Sequence, residues 1–260
     1  MKRYFEIWYN LALNSFQSSL QSRFGASIFV IGKLLRFFLT LSFILLISTK
    51  TKVIVGYNLW QMVLFFATFN LIDVSAQFFF REVYRFRTQV IKGEFDYTLL
   101  SPISPLFRSL MGGTDILDLP ILLISIILVV YSAEKLGNVN FTGVISYVLL
   151  LVNGFLIALS FHVFVLGMGI ITTVVDNILW LYRDLTQMGR VPIDVYREPL
   201  RAIITFIVPV GIMMTFPGKA LIGLLSVEGL ITAFVVGIST FLLSLLFWKY
   251  SLRHYSSASS

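Results

Sequence analysis

The chain has no cysteine and only 2 histidines among its 260 residues. Without thiols there is no thiolate catalysis, no Cys-ligated metal or iron–sulfur cluster and no disulfide; two imidazoles are too few for a His-rich metal centre. Charge is scarce as well, at 13% of residues where a soluble domain carries about 25%. A phosphate-binding loop of the form G-x-x-x-x-G-K-[ST] is also missing. The nearest fragment, Pro217-Gly218-Lys219-Ala220, lacks the first glycine and the hydroxyl residue. Any ATP and Mg chemistry must therefore sit on another subunit, and this chain is expected to bind no cofactor.

What is present is apolar surface: 57% of residues are hydrophobic and 25 of them are Phe. A membrane span takes about 20 such residues, and the runs predict an all-α polytopic membrane protein. Six transmembrane helices are expected, at about 27–48, 59–80, 116–133, 141–166, 202–216 and 229–248. Residues 1–25 read as an interfacial helix, because Phe5, Trp8, Ala12, Phe16 and Leu20 recur at helical spacing while Glu6, Asn10 and Asn14 interrupt any signal-peptide core. The uncharged run 141–175 exceeds a bilayer core and is expected to bend near Gly167 and Gly169 or to continue along the membrane surface toward Tyr182. In the fifth stretch, Pro209, Pro217 and Gly218 preclude one straight helix and predict a re-entrant segment before the sixth span.

The net charge of +7 would raise the question of nucleic acid in a soluble protein, but its distribution gives it another meaning. With these spans, Lys50, Lys52, Lys135 and Lys219 fall on one side and the other 16 of the 20 basic residues on the opposite one. Basic residues accumulate in cytoplasmic loops, so both termini are expected inside a plasma or inner membrane, with lipids and no nucleic acid as surroundings.

Residues 81–110 form the longest polar segment. Arg81, Arg85 and Lys92 flank Val83, Phe86 and Val90, as in a helix continuing out of the second span; Gly93 can end it, and Pro102 and Pro105 force extended or turning backbone. The run Lys92-Gly93-Glu94-Phe95-Asp96-Tyr97-Thr98-Leu99-Leu100-Ser101-Pro102 resembles the cytoplasmic signature of small six-span ABC-2 type permeases. A second stretch, Val191-Pro192-Ile193-Asp194-Val195-Tyr196 leading to Phe206-Ile207-Val208-Pro209 and Phe216-Pro217, is similar to the same group's approach to its fifth span. The resemblance implies a single ABC-2 type transmembrane domain over 1–260, the permease of a type V exporter-like transporter. It would pair with itself or a second permease and rest on a separate ABC ATPase subunit. Gly93, Glu94, Phe95, Asp96, Tyr97, Pro102 and Pro105 would form the ATPase-coupling segment, with Phe95 and Tyr97 as anchors and Glu94 and Asp96 as charge partners.

Other polar residues carry a bland and a sharper reading. Asp73, inside the second span, is either an ion site or a residue that pairs with a neighbouring helix or caps a break near Asn70 and Ser75. His162 reads as a packing histidine bonded across the bundle. Asp115 and Asp118 read as caps of the third span. The alternative to a permease is a polytopic membrane enzyme acting on a lipid, which would need Asp73, Asp115, Asp118 or His162 gathered at one depth. Phe37, Phe38, Phe65, Phe66 and Phe69 are expected to form packing and lipid-facing surface.

Overall fold

Apolar runs closed by short polar caps fold as helices throughout the chain. The computed structural model describes residues 2–50, 55–137, 139–172 and 175–257; it is 85% helix, with no strand among the described residues. Lys52, counted above with the minority charges, lies outside them. Helix α1 (Lys2–Gln21) leads into α2 (Arg23–Lys50), and α3 (Leu59–Phe79) follows. Asn58 starts α3 with a reciprocal cap: its side chain accepts from the Gln61 amide at 3.0 Å, and the Gln61 side chain accepts from the Asn58 amide at 2.9 Å. Three short helices, α4 (Phe86–Ile91), α5 (Glu94–Leu100) and α6 (Pro105–Met111), precede α7 (Leu119–Leu136). Then come α8 (Phe141–Thr172), α9 (Val175–Gln187), α10 (Leu200–Ala202), α11 (Phe216–Leu221) and α12 (Val227–Arg253). Among the described residues, five helices are long and apolar enough to cross a membrane, or six if the bent pair around Pro209 counts as one span.

Contacts between helices give each its direction. Thr68 of α3 meets Tyr147 of α8 hydroxyl to hydroxyl at 3.1 Å, and further along both helices Phe80 stacks on Phe155 at 5.2 Å, so these two run parallel. Asn153 of α8 donates to the Ala233 carbonyl of α12 at 2.9 Å and Phe164 stacks on Phe247 at 4.7 Å, so those two also run parallel. Trp60 packs on Tyr131 at 5.4 Å, while the Asp115 amide donates to the Phe78 carbonyl at 3.2 Å, which sets α7 antiparallel to α3. Lys33 in the first half of α2 is ion-paired with Asp118 at the start of α7. The starts of α2 and α7 and the ends of α3, α8 and α12 thus share one end of the bundle, the terminal end. Helix α1 lies there too, with Trp8 against Phe79 and the Ser15 hydroxyl donating to the Thr114 carbonyl at 2.9 Å.

Helix α8 is unbroken through Gly167 and Gly169, where a bend is one of the two outcomes its length suggests. It runs on to Thr172, 32 residues, about 48 Å at 1.5 Å per residue. Gly167 instead lets Phe247 and Ser251 of α12 approach. At Gly154 an added Cβ would meet the Met213 carbonyl at 2.7 Å, so Gly154→Ala should cost about 1–3 kcal/mol by overpacking. A lowered midpoint in detergent thermal unfolding would show it; an unchanged midpoint would mean that the backbone around Met213 yields freely.

The largest departure from the expected topology is the fifth crossing. Because α8 ends at the terminal end and α12 starts at the opposite one, the chain between them must traverse the bundle. The expected span 202–216 does not do this. Its segments Leu200–Ile207 and Gly211–Leu221 meet at a 79° bend around Pro209, and Arg201 near the start of one arm and Lys219 near the end of the other bind the same carboxylate, Asp194, at 3.0 and 2.7 Å. The arms therefore form a re-entrant hairpin whose two ends return to one level. Pro209 supplies no amide and flanks two π-helical turns, Ile203–Ile207 and Gly211–Thr215. Pro217 is buried in the first turn of α11, and Gly218 lies against the Phe65 ring.

The traverse is made by α9 and residues 188–195. Tyr182 packs on His162 at 5.1 Å, Arg190 lies over Phe69 at 5.8 Å, and Asp194 accepts from the Tyr57 hydroxyl at 2.8 Å, close to the start of α3. This corrects the charge sorting. Arg201 lies with Tyr57 and Lys219 near the opposite end, Arg197 precedes it by one helical turn (Arg201 N to Arg197 O, 3.1 Å), and Arg183 and Arg190 are half-buried and line a recess shared with α2 and α3.

Candidate functional site

Two places gather the polar residues. The first is a half-enclosed cavity of about 80 Å³ among α2, α3, α9 and the start of α7, lined by Lys33, Arg36, Asp73, Asn70, Gln77, Asp118, Arg183 and Arg190. Asp73 is buried and accepts from the Gln77 amide nitrogen at 2.8 Å. It caps no break: α3 is continuous through Asn70 and Ser75, whose side chains bond back to the Phe66 and Leu71 carbonyls. Lys33 pairs with Asp118 and lies 3.6 Å from Asp115, which Arg81 also approaches at 3.6 Å. Asp115 caps the turn before α7 as expected, accepting from the Leu117 amide at 3.2 Å. Together these carboxylates tie α2 to α7 and the end of α3, which is more than capping.

His162 stands apart from this group. Its ring is buried between Phe80 at 5.0 Å and Tyr182 at 5.1 Å, and Nδ1 donates to the Ala158 carbonyl of its own helix at 2.8 Å. It therefore does not bond across the bundle. Asp73 and Asp118 share the cavity, but His162 does not line it. Of the phenylalanines expected as packing surface, Phe37, Phe65, Phe66 and Phe69 are buried, while Phe38 faces outward.

The second place is the stretch from Gly93 to Pro105, at the terminal end. Gly93 adopts φ +71° and starts α5 from the left-handed region that only glycine enters freely. Glu94 and Asp96 occupy the first turn, where they favour the helix dipole. The alternating acids and aromatics thus lie on a helix, and its two aromatics face opposite ways. Phe95 is fully buried against Phe86 at 5.1 Å, Tyr255 at 5.2 Å and Trp248 at 6.4 Å. Tyr97 is 77% exposed, and Leu100, three residues on, is 83% exposed. Asp96 accepts from the Tyr255 hydroxyl at 2.9 Å and from the Ser257 hydroxyl at 2.5 Å. Phe95 and Asp96 are therefore fastened within the chain, while Glu94, Tyr97 and Leu100 keep the outward face. Ser101 is extended, Pro102 follows it, and Pro105 opens α6 behind the Ser104 cap, as the prolines predict.

Burial, with the Asp96 acceptor beside it, pushes the Tyr255 hydroxyl up to about 12. It is a donor over the whole physiological range. The strap to Asp96 is intact below the ordinary tyrosine value near 10 and is lost as pH rises toward 12. Next to the element, burial pushes the Glu82 carboxyl up, while Arg85, the hydrogen bond from Gln89 and Arg108 act against it. Glu82 thereby joins the turn after α3 to α4, accepting from the Gln89 side chain at 2.7 Å.

Reading by sequence missed Arg36, Arg183 and Arg190 as cavity residues, and Trp248, Tyr255 and Ser257 as partners of α5. For Arg183 a signal existed in the amphipathic pattern of α9, which a search for apolar spans passes over. For Tyr255 and Asp96, 159 residues apart, no local pattern could have served.

An ABC-2 family transporter protein description matches residues 34–259. No curated protein and no solved structure matches. The match covers α2 from Leu34 onward, α5 with its outward face, the three arginines of the cavity and the re-entrant hairpin, and on that extent the chain belongs to the ABC-2 transporter family.

Proposed function

We propose that this chain is the six-crossing permease subunit of an ABC exporter of the type V kind. Both termini are cytoplasmic in the plasma or inner membrane, the permease pairs with a second copy or a related permease, and a separate ATPase holds ATP and Mg. The family supports a multi-pass transport subunit working with an ABC ATPase and not an enzyme. The observation that carries the reading is the outward face of α5. Tyr97 and Leu100 present large apolar groups on a helix whose other side is fixed to α4 and α12 by Phe95 and Asp96. A partner pressing on a helix so fastened moves the crossing helices as a body, whereas a loose loop would absorb the motion.

Mild-detergent purification should co-isolate an ATPase, identified by its own phosphate-loop peptide and by ATP hydrolysis. The double substitution Tyr97→Ala/Leu100→Ala is expected to weaken that association at least tenfold, about 1.4 kcal/mol, while leaving insertion and thermal unfolding unchanged. Full retention of the ATPase by the double variant would remove α5 as the docking surface. Orientation has its own test. Single cysteines placed at Lys135 and Ser101 lie at opposite ends of the bundle, and an impermeant thiol reagent should label only the first in intact cells; labelling at Ser101 alone would invert the topology.

A further inference from the structure

The cavity between α2, α3 and α9 carries a charge imbalance that the chain itself does not resolve. Lys33 and Arg81 are matched by Asp115 and Asp118, which leaves Arg36, Arg183 and Arg190 around a single carboxylate, Asp73. That is a surplus of two positive charges. Arg36 donates to the Gln187 side chain at 3.2 Å, Arg183 lies over the Trp180 ring at 5.3 Å and Arg190 over the Phe69 ring. None of the three has an ion pair among the described residues. Arg36 is exposed and Arg183 and Arg190 are half-buried, and like charges held around one small recess repel one another unless an anion lies between them. A protein that keeps three together in a polar recess beside the re-entrant hairpin has a reason to meet a negative group there.

We propose that this recess binds an oxyanion of the phosphate class, with Arg36, Arg183 and Arg190 as its ligands. Guanidiniums are suited to it: the planar fork engages two oxygens at once, remains charged at every accessible pH and is less strongly hydrated than an ammonium. A cavity of about 80 Å³ has room for several waters, which such a group would displace. Two sources share this chemistry, the headgroup of an anionic phospholipid entering between α2 and α9 and a soluble phosphate compound. The inference deepens the transport reading, on which it rests only in taking the bound group as part of the cargo.

The test uses the full-length chain in nanodiscs and needs no ATPase, so its failure is separate from failure of the permease reading. With phosphatidylcholine and phosphatidylglycerol supplied together, native mass spectrometry after release should find phosphatidylglycerol retained on the wild-type chain. Arg183→Gln/Arg190→Gln should retain at least tenfold less, and Lys135→Gln, far from the recess, as much as the wild type. In phosphatidylcholine alone, inorganic phosphate is the soluble probe, and protection of Arg183 and Arg190 from phenylglyoxal by phosphate would assign the soluble source. The protection experiment on the wild-type chain stands even if the double variant fails to fold. Three results would each overturn the proposal: retention of both lipids in proportion to supply with no protection by phosphate, equal retention by the double variant, or protection confined to a dimer fraction regardless of probe. The last would assign the guanidiniums to a second copy's acidic residues.

Discussion

Phe95→Ala should release α5 from the bundle. The ring is fully buried against Phe86, Tyr255 and Trp248, and truncating a buried Phe costs about 3–5 kcal/mol through lost transfer energy and the cavity left behind. A seven-residue helix cannot offset such a loss, since isolated helices of that length are not stable in water. The expected result is faster hydrogen exchange through residues 86–100, with the crossing helices unaffected. Association with the ATPase should fall as well, although Phe95 does not touch the outward face. Tyr97→Ala separates the two effects: it should weaken association and leave local exchange as in the wild type. If Phe95→Ala exchanges like the wild type, α5 is held by Asp96 and its two hydroxyl donors alone.

The second large effect is expected at Asp194. Its carboxylate gathers the Tyr57 hydroxyl at 2.8 Å, the Lys219 ammonium at 2.7 Å and the Arg201 guanidinium at 3.0 Å. It thereby holds both arms of the re-entrant hairpin to the start of α3. Asp194→Ala leaves two cations and a phenol without their acceptor, and the cost should be about 3 kcal/mol, the lower end for unpairing a buried charge, because Arg201 is partly exposed. Thermal unfolding in detergent should drop by several degrees. A cysteine at Lys219 should also become more reactive, because the hairpin lifts. Asp194→Asn keeps an acceptor for Tyr57 but loses the charge, and should lie between the wild type and Asp194→Ala. Equal behaviour of all three would mean that packing of Gly218 on Phe65 and of Gly154 on Met213, not the clamp, fixes the hairpin.

The sequence was most legible where hydropathy and environment coincide. The spans expected at 59–80, 116–133 and 229–248 match Leu59–Phe79, Ile116–Leu136 and Val227–Arg253 to within a few residues, because each is predominantly apolar and bounded by polar residues. The proline-broken hairpin was also readable, since Pro209 removes an amide whatever surrounds it. Legibility failed at 202–216 and at α9 for one reason. Mean hydropathy reports how much a segment avoids water, and it cannot distinguish a segment surrounded by lipid from one folded back among other helices. An amphipathic helix whose polar face lines an interior recess has the same pattern as one lying on a surface.

By itself, then, the sequence determined that this is a polytopic helical membrane protein with no cysteine and no G-x-x-x-x-G-K-[ST] phosphate loop, and it placed the segment around Gly93 to Pro105 as the one to watch. Only the tertiary structure decided which part of the chain makes the fifth traverse, that Phe95 and Asp96 face inward while Tyr97 and Leu100 face outward, and that three arginines from α2, α9 and the turn after it surround one aspartate. Each of these depends on residues more than a hundred positions apart being brought into contact. Local propensity and charge counting carry no information about such pairings; packing and the pairing of buried charges decide them.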